Sequence, residues 1–240
     1  MKLKDMDIVY VVKDSAYNDE LKYSLRSVDK NFPHNRVWFY GGKPVGLHPD
    51  KQVVVNQKGK NKWERVRNMF ISIAENDEIT EDFVLFNDDF FVLRPVDKPP
   101  IYKYGSIAQL CKRVEKQNGN KPTPYTRSLE RTAKALKGLG YPTTNYELHI
   151  PMVINRKGLQ KAMELFPDVR ATRSLYGNTW LSKKDSESMK DVKIFRAWQT
   201  PTEDTDFLST EDYAFKNGKA GEYIRQRFPE KSRWEKRVLT

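Results

Sequence analysis

Between Phe83 and Leu93 the chain reads FVLFNDDFFVL, so that one asparagine and two aspartates interrupt an otherwise apolar run. Such a run buries its flanks as short strands and has to bring Asn87, Asp88 and Asp89 out at a corner before the chain re-enters the core. An acidic pair in that position has two readings. One is a hairpin tip, with Asn-Asp as turn residues. The other is a ligand site at the end of a buried strand, the position at which open α/β sheets bind their ligands.

The rest of the chain supplies the context. Asp7 to Lys13 (DIVYVVK) is a short β-branched run expected to be a buried parallel strand, and Asp19 is expected to cap a helix running to about Phe32, stopped by Pro33. Leu21, Leu25, Val28 and Phe32 share one face of that helix. Strands are predicted at 36–40 (RVWFY) and 52–55 (QVVV). A helix is predicted from near Lys60, with Trp63, Val66, Phe70 and Ile73 as its stripe, followed by the strand at 82–86. Strands alternating with amphipathic helices make an α/β, doubly wound, mainly parallel central sheet flanked by helices. Asp14, Gly41, Gly42 and the Asn87-Asp88-Asp89 corner then fall on one rim.

Prolines 99, 100, 122, 124 and 142 mark a change of character, with short helices expected near 105–117 and 125–137. Strand character returns at 147–154 (ELHIPMVI), a helix is expected over 157–166, a strand at 192–196 and a helix at 219–228. The expected organisation is one compact unit: an α/β half carrying the acidic corner at 1–96, a helical insertion or lid at 97–145, and a second half with a basic C-terminal extension at 146–240.

Composition narrows the functional classes. Of 240 residues 31% are charged, and the formal net charge is +11; mean hydropathy is -0.78. The excess of Lys and Arg favours anionic partners such as nucleotide diphosphates, nucleic acid or anionic glycans, or else gives a solvated basic face. No apolar stretch is long enough to span a membrane, and MKLKDMDIVY lacks the core of a signal peptide, so a cytoplasmic protein is expected. The single cysteine, Cys111, excludes an internal disulfide and a multi-cysteine zinc site; it reads as a small buried apolar residue.

Adjacent carboxylates at a strand end suit Mg²⁺ or Mn²⁺, and a cation there neutralises the diphosphate that leaves a sugar nucleotide. His149 lies beside an apolar run, either as a satisfied core residue or as a functional one, and Glu147 two residues earlier is a second base candidate. Arg127 and Arg131, at i and i+4, are candidates to clamp the phosphates of the donor, against a solvated basic face. Near the C-terminus Arg225, Arg227, Lys231, Arg233, Lys236 and Arg237 are interleaved with Tyr223, Phe228 and Trp234. That pattern suits nucleic acid, or an amphipathic segment packed on the domain.

Three blocks carry a family resemblance. Asp7-Ile8-Val9-Tyr10 with Asn18-Asp19-Glu20-Leu21-Lys22-Tyr23-Ser24-Leu25-Arg26-Ser27-Val28, then Phe86-Asn87-Asp88-Asp89-Phe90-Phe91, then Glu147-Leu148-His149-Ile150-Pro151-Met152 with Leu165-Phe166-Pro167, together resemble the blocks of the Stealth family of sugar-phosphate transferases. The resemblance implies a GT-A-like fold. It also implies Asp88 and Asp89 on Mn²⁺ or Mg²⁺ and the diphosphate, with Asn87 orienting the ribose or sugar. Asp14 and Arg26 are expected on the donor, and His149 as general base or third cation ligand, with Asp89 and Glu147 beside it among the catalytic groups. Val12-Lys13-Asp14-Ser15 stands where the family has a longer first block, and His-Ile-Pro replaces His-Met-Pro. The abbreviated chain is similar to phage-encoded glycosyltransferases.

The expected activity is therefore metal-dependent transfer of a sugar from a nucleotide sugar, UDP-linked in preference, to a hydroxyl. An anionic polymer is the favoured acceptor, with a hydroxymethylated base in DNA as the specific expectation and Arg225, Arg227, Lys231, Arg233 and Trp234 contacting it. Transfer of a sugar 1-phosphate to a glycan is the alternative, and a non-catalytic nucleic-acid-binding module the second.

Overall fold

The computed structural model describes residues 2–55, 62–182, 185–202 and 204–235. Its first half builds β1 (Asp7–Val12), α1 (Asp19–Asn31), β2 (Val37–Gly41), β3 (Lys51–Val53), α2 (Lys62–Glu75), β4 (Asp82–Asn87) and β5 (Phe90–Val92). The middle adds β6 (Tyr102–Lys103), α3 (Ile107–Gln117), α4 (Pro124–Gly138), β7 (Met152–Asn155), α5 (Arg156–Leu165) and α6 (Thr172–Thr179). The last third holds β8 (Glu187–Ser188), β9 (Lys193–Ile194), β10 (Phe207–Thr210), α7 (Asp212–Asn217) and α8 (Lys219–Arg227).

The central sheet runs β3-β2-β1-β4-β7. Its first four strands are parallel and β7 is antiparallel to β4. Strand residues alternate between two apolar layers, as a sheet covered on both faces requires. Val9, Trp38, Phe83, Leu85 and Met152 face the layer formed with α2 to α6. Ile8, Tyr10, Phe39, Val84 and Phe86 face α1 and Trp234. Ile107 and Cys111 of α3 and Leu129 and Leu136 of α4 belong to the first of these layers, so the segment expected as an insertion shares the core of the sheet. No helix of the described residues is long and apolar enough to cross a membrane.

Three boundaries depart from the sequence reading. Asn18, not Asp19, caps α1: its side chain accepts from the Leu21 amide, because the cap residue sits outside the helix and bonds back to it. The strand expected at 147–154 is confined to Met152–Asn155. Residues 146–151 instead spend their polar groups on α6 and on Asp191. The run after Asp89 does not fold back on β4; β5 pairs antiparallel with β10 in a separate three-stranded sheet, β5-β10-β9. That rules out the hairpin-tip reading. The expected start of the second helix near Lys60 and the side chain of Trp63 lie outside the described residues.

Candidate active site

β1 sets the level of the rim. Its Val12 lies opposite Gly41 of β2 and its Val11 opposite Asn87 of β4, so three parallel strands finish side by side. The Gly42 amide donates to the Val12 carbonyl at 2.9 Å. A Cβ at Gly42 would collide with the Lys13 carbonyl and the Asp14 Cα, so the loop after β1 passes tightly over this glycine. Asp14 is exposed on that loop. The structure thus brings Asp14, Gly41, Gly42 and the Asn87-Asp88-Asp89 corner together.

Each acid of the corner is held from a different part of the chain. Asn18 Nδ2 donates to Asp88 Oδ2 at 2.7 Å while its Oδ1 caps α1, so one side chain ties the helix start to the acid. Asp89 is 9% exposed, and its Oδ2 accepts from Lys193 Nζ at 2.7 Å and from Ser209 Oγ at 2.9 Å. A third carboxylate, Glu20, accepts from Thr210 Oγ1 at 2.8 Å. Burial, reinforced by the charges of Asp89 and Asp88, pushes Glu20 up to about 8. Burial and then Asp89 likewise raise Asp88 above the ordinary carboxylate range. Three carboxylates share this corner with one ammonium in contact, and bringing in positive charge would lower both raised acids.

The donor set suits a hard cation only in part. Among the described residues no group of three or more His, Cys, Asp or Glu side chains is arranged to hold a metal ion. The expected trio of Asp88, Asp89 and His149 is therefore corrected: it is not gathered as one ligand group, and His149 stands in a separate cluster with Asp191, 2.7 Å from its Nδ1. Asp88 and Asp89 remain as a pair, and the bonds that other described residues make to them fall on Oδ2 in both. Mg²⁺ is commonly held by one or two carboxylates together with substrate phosphates and water, and this pair fits that mode.

A second polar cluster adjoins the corner. Asp191 binds His149 twice, through the backbone amide at 2.8 Å and the ring Nδ1 at 2.7 Å, and the ring sits edge-on to Phe195. Burial works to raise Asp191, but the bonds and charge of His149 prevail and hold it below the usual carboxylate range. Glu147 Oε1 accepts from the Ser174 amide at 2.8 Å in the first turn of α6, and burial raises its carboxyl. Next to Ser174, Arg173 is 7% exposed and donates through Nη1 to the carbonyls of Leu148 and Ile150, on either side of His149. Its guanidinium lies over the Phe90 ring and feels the charges of Glu147, Asp89 and Asp191. Arg173 therefore links the two clusters.

Several expected site residues do other work. Arg26 forms a two-point ion pair with Glu235, at 2.8 and 2.7 Å, and donates to the carbonyls of Phe228 and Pro229; it fastens the end of the described chain to α1 and does not face a donor phosphate. Trp234 is 2% exposed and packs in the α1 layer, so it offers no stacking surface to a base. Arg225 donates to the Phe215 carbonyl, Arg227 to the Leu93 carbonyl, and Arg233 pairs with Asp29 at 3.1 Å. Lys231 is exposed and lines a cavity with Arg26 and Arg227. The basic segment is thus mostly a strap closing the fold: Arg225 and Arg227 spend their guanidiniums on backbone carbonyls and Arg233 on Asp29. Lys236 and Arg237 lie outside the described residues. Arg127 and Arg131, expected on the donor's phosphates, instead line a cavity that none of Asp14, Gly42, Asn87 and Asp88 lines. Cys111 is buried, and burial raises its thiol to about 11.

Sequence reasoning missed Asn18, Glu20, Lys193, Ser209, Arg173 and Asp191. For Asn18 a signal existed, since Asn directly before Asp-Glu-Leu is a strong helix start. The others are brought in by contacts up to 190 residues away in the chain and leave no local pattern.

No family model and no curated protein matches the chain. Among solved structures, the fold is similar to an active-site mutant of LgtC, at 13% identity and a TM-score of 0.49 over 92% of this chain and 95% of that one. It is also similar to LgtC, a galactosyltransferase solved with donor and acceptor sugar analogues, at 14% identity and TM-score 0.42 over 79% of this chain and 76% of that one. The glycosyltransferase GlyE of Streptococcus pneumoniae TIGR4 matches at 12% identity and TM-score 0.37 over 78% of this chain, which spans 45% of GlyE. These are distant likenesses of fold.

Proposed function

We propose that the protein transfers a sugar from a nucleotide sugar, UDP-linked in preference, to a hydroxyl acceptor. The observation that carries this reading is the acidic corner at the carboxyl end of β4, where Asp88 and Asp89 stand on the same rim as the tight β1 loop and Gly42. Asp14 and Asn87 are the donor-side contacts. Asp88 and Asp89 are the residues that would hold Mg²⁺ or Mn²⁺, which supplies countercharge to the departing diphosphate. Lys193 adds a fixed positive charge beside Asp89, and it is the group nearest to hand for the same diphosphate.

On the acceptor side, His149 takes the proton of the attacking hydroxyl at Nε2. Asp191 is its positioning residue: a carboxylate on Nδ1 fixes the ring's tautomer and orientation and stabilises the imidazolium formed. Phe195, half exposed beside the ring, is a flat apolar face on which a sugar can rest. Glu147 holds the start of α6 through Ser174, which favours His149 over Glu147 as the base.

The test is a screen of sugar nucleotides with Mn²⁺ that reads which nucleotide is released. Release of UDP supports sugar transfer, whereas UMP would mean sugar-phosphate transfer of the Stealth type. Asp88→Asn and Asp89→Asn are expected to lower turnover at least a hundredfold while leaving the far-UV circular dichroism spectrum unchanged. Full turnover in either variant would sink the assignment.

A further inference from the structure

We propose that the cavity between α4 and residues 168–170 is a subsite for a phosphate group carried by the acceptor, gripped by Arg127 and Arg131. This rests on the transfer reading above and extends it to the substrate's chemistry. The two arginines are one helical turn apart on α4, both exposed, and share one face. They line a cavity of about 280 Å³ together with Ser128, Asp168 and Arg170. No salt bridge among the described residues uses the guanidinium of Arg127 or Arg131. The single lining carboxylate, Asp168, has its charge felt by Arg67 of α2, so the lining keeps a positive surplus.

The walls are held together before any ligand arrives, because Thr132 Oγ1 on α4 donates to the Arg170 carbonyl at 3.0 Å. Both walls lead to the same place. On the α4 side, Tyr125 packs close enough to Glu147 and Asp191 that their charges add to burial in raising its phenol. On the other side, the chain passes from Arg170 to Arg173, which donates to the carbonyls flanking His149. None of the donor-rim residues lines this cavity, while both of its walls continue in the chain towards residues around His149, so an anion seated here is assigned to the acceptor. Two guanidinium forks match the oxygens of phosphate, and a neutral sugar has no use for them.

The decisive experiment is calorimetric titration of the full chain with inorganic phosphate while Mg²⁺ and UDP saturate the donor rim. Wild type is expected to bind phosphate, and Arg127→Gln/Arg131→Gln to bind it at least tenfold more weakly with UDP affinity unchanged. Lys134→Gln/Lys137→Gln, on the same helix, serves as the charge control and is expected to bind like wild type. Equal phosphate affinity in wild type and the arginine double variant, or an equal loss in the lysine control, would overturn the proposal. UDP binding is read separately in the same cell, so its absence counts against the donor site while the phosphate comparison still decides on the two arginines. As a second readout, glucose 6-phosphate should stimulate UDP release from UDP-glucose at least fivefold more than glucose in wild type. That preference should vanish in the arginine variant; its persistence would also overturn the proposal.

Discussion

Glu20 is an acid in an unfavourable place, and its cost depends on pH. Its carboxyl is pushed up to about 8 in the folded protein, against about 4.3 in an unfolded chain. The folded state therefore holds the extra proton, and stability falls as pH rises from about 4.3 to about 8. Taken in full, the difference would amount to about 5 kcal/mol; screening at a partly exposed group reduces the expectation to about 1 to 2 kcal/mol. Glu20→Gln should remove this dependence. Urea denaturation of metal-free protein should find the variant close to wild type near pH 4.5 and more stable by that margin at pH 8.5. A parallel curve for the two proteins would show that Glu20 is not held this way. At the second cluster, Asp191→Asn leaves His149 without its carboxylate and is expected to lower kcat about ten- to a hundredfold. His149→Ala should cost more, about a thousandfold. A structural role alone would leave the pH–rate profile in place, whereas loss of the orienting charge should shift its acidic limb.

At the scale of elements, the sequence was most legible where a helix or strand announces itself by periodic burial. α1, α3, α4 and α5 appear within a few residues of their expected spans, because their apolar stripes recur at helical spacing and polar cap residues mark their starts. The parallel strands were legible for the same reason. β9 falls inside the strand expected at 192–196, whereas β10 stayed hidden: it is four residues long, and its pairing with β5 joins segments more than a hundred residues apart. Arg26 shows the other limit. Its residue type suited a phosphate, but only the folded chain reveals that Glu235 lies opposite, with both side chains 7% exposed. Removing one partner of a buried pair leaves the other uncompensated, so Arg26→Ala should destabilise the protein by about 3 kcal/mol. Urea midpoints measure this directly, and a change below about 0.5 kcal/mol would mean that the strap contributes little to the fold.

Across the whole molecule, α2 to α6 cover one face of the main sheet and α1 with the second sheet covers the other, and the carboxyl edge of the main sheet collects the acids. Asp7 at the amino edge makes the contrast plain. Although fully buried, it is answered by Asn35, Arg36 and Trp38, whereas Glu20 and Asp88 at the opposite edge are left with raised protonation. The molecule keeps its electrostatic tension at the end where a ligand can relieve it. That arrangement also bears on how the protein matures. A nascent chain that has emerged as far as Asn155 owns every strand of the main sheet, yet Asp89 still waits for Lys193 and Ser209. Ribosomal products that stop between those points hold all the strands of the sheet but neither of the two side chains that bond Asp89.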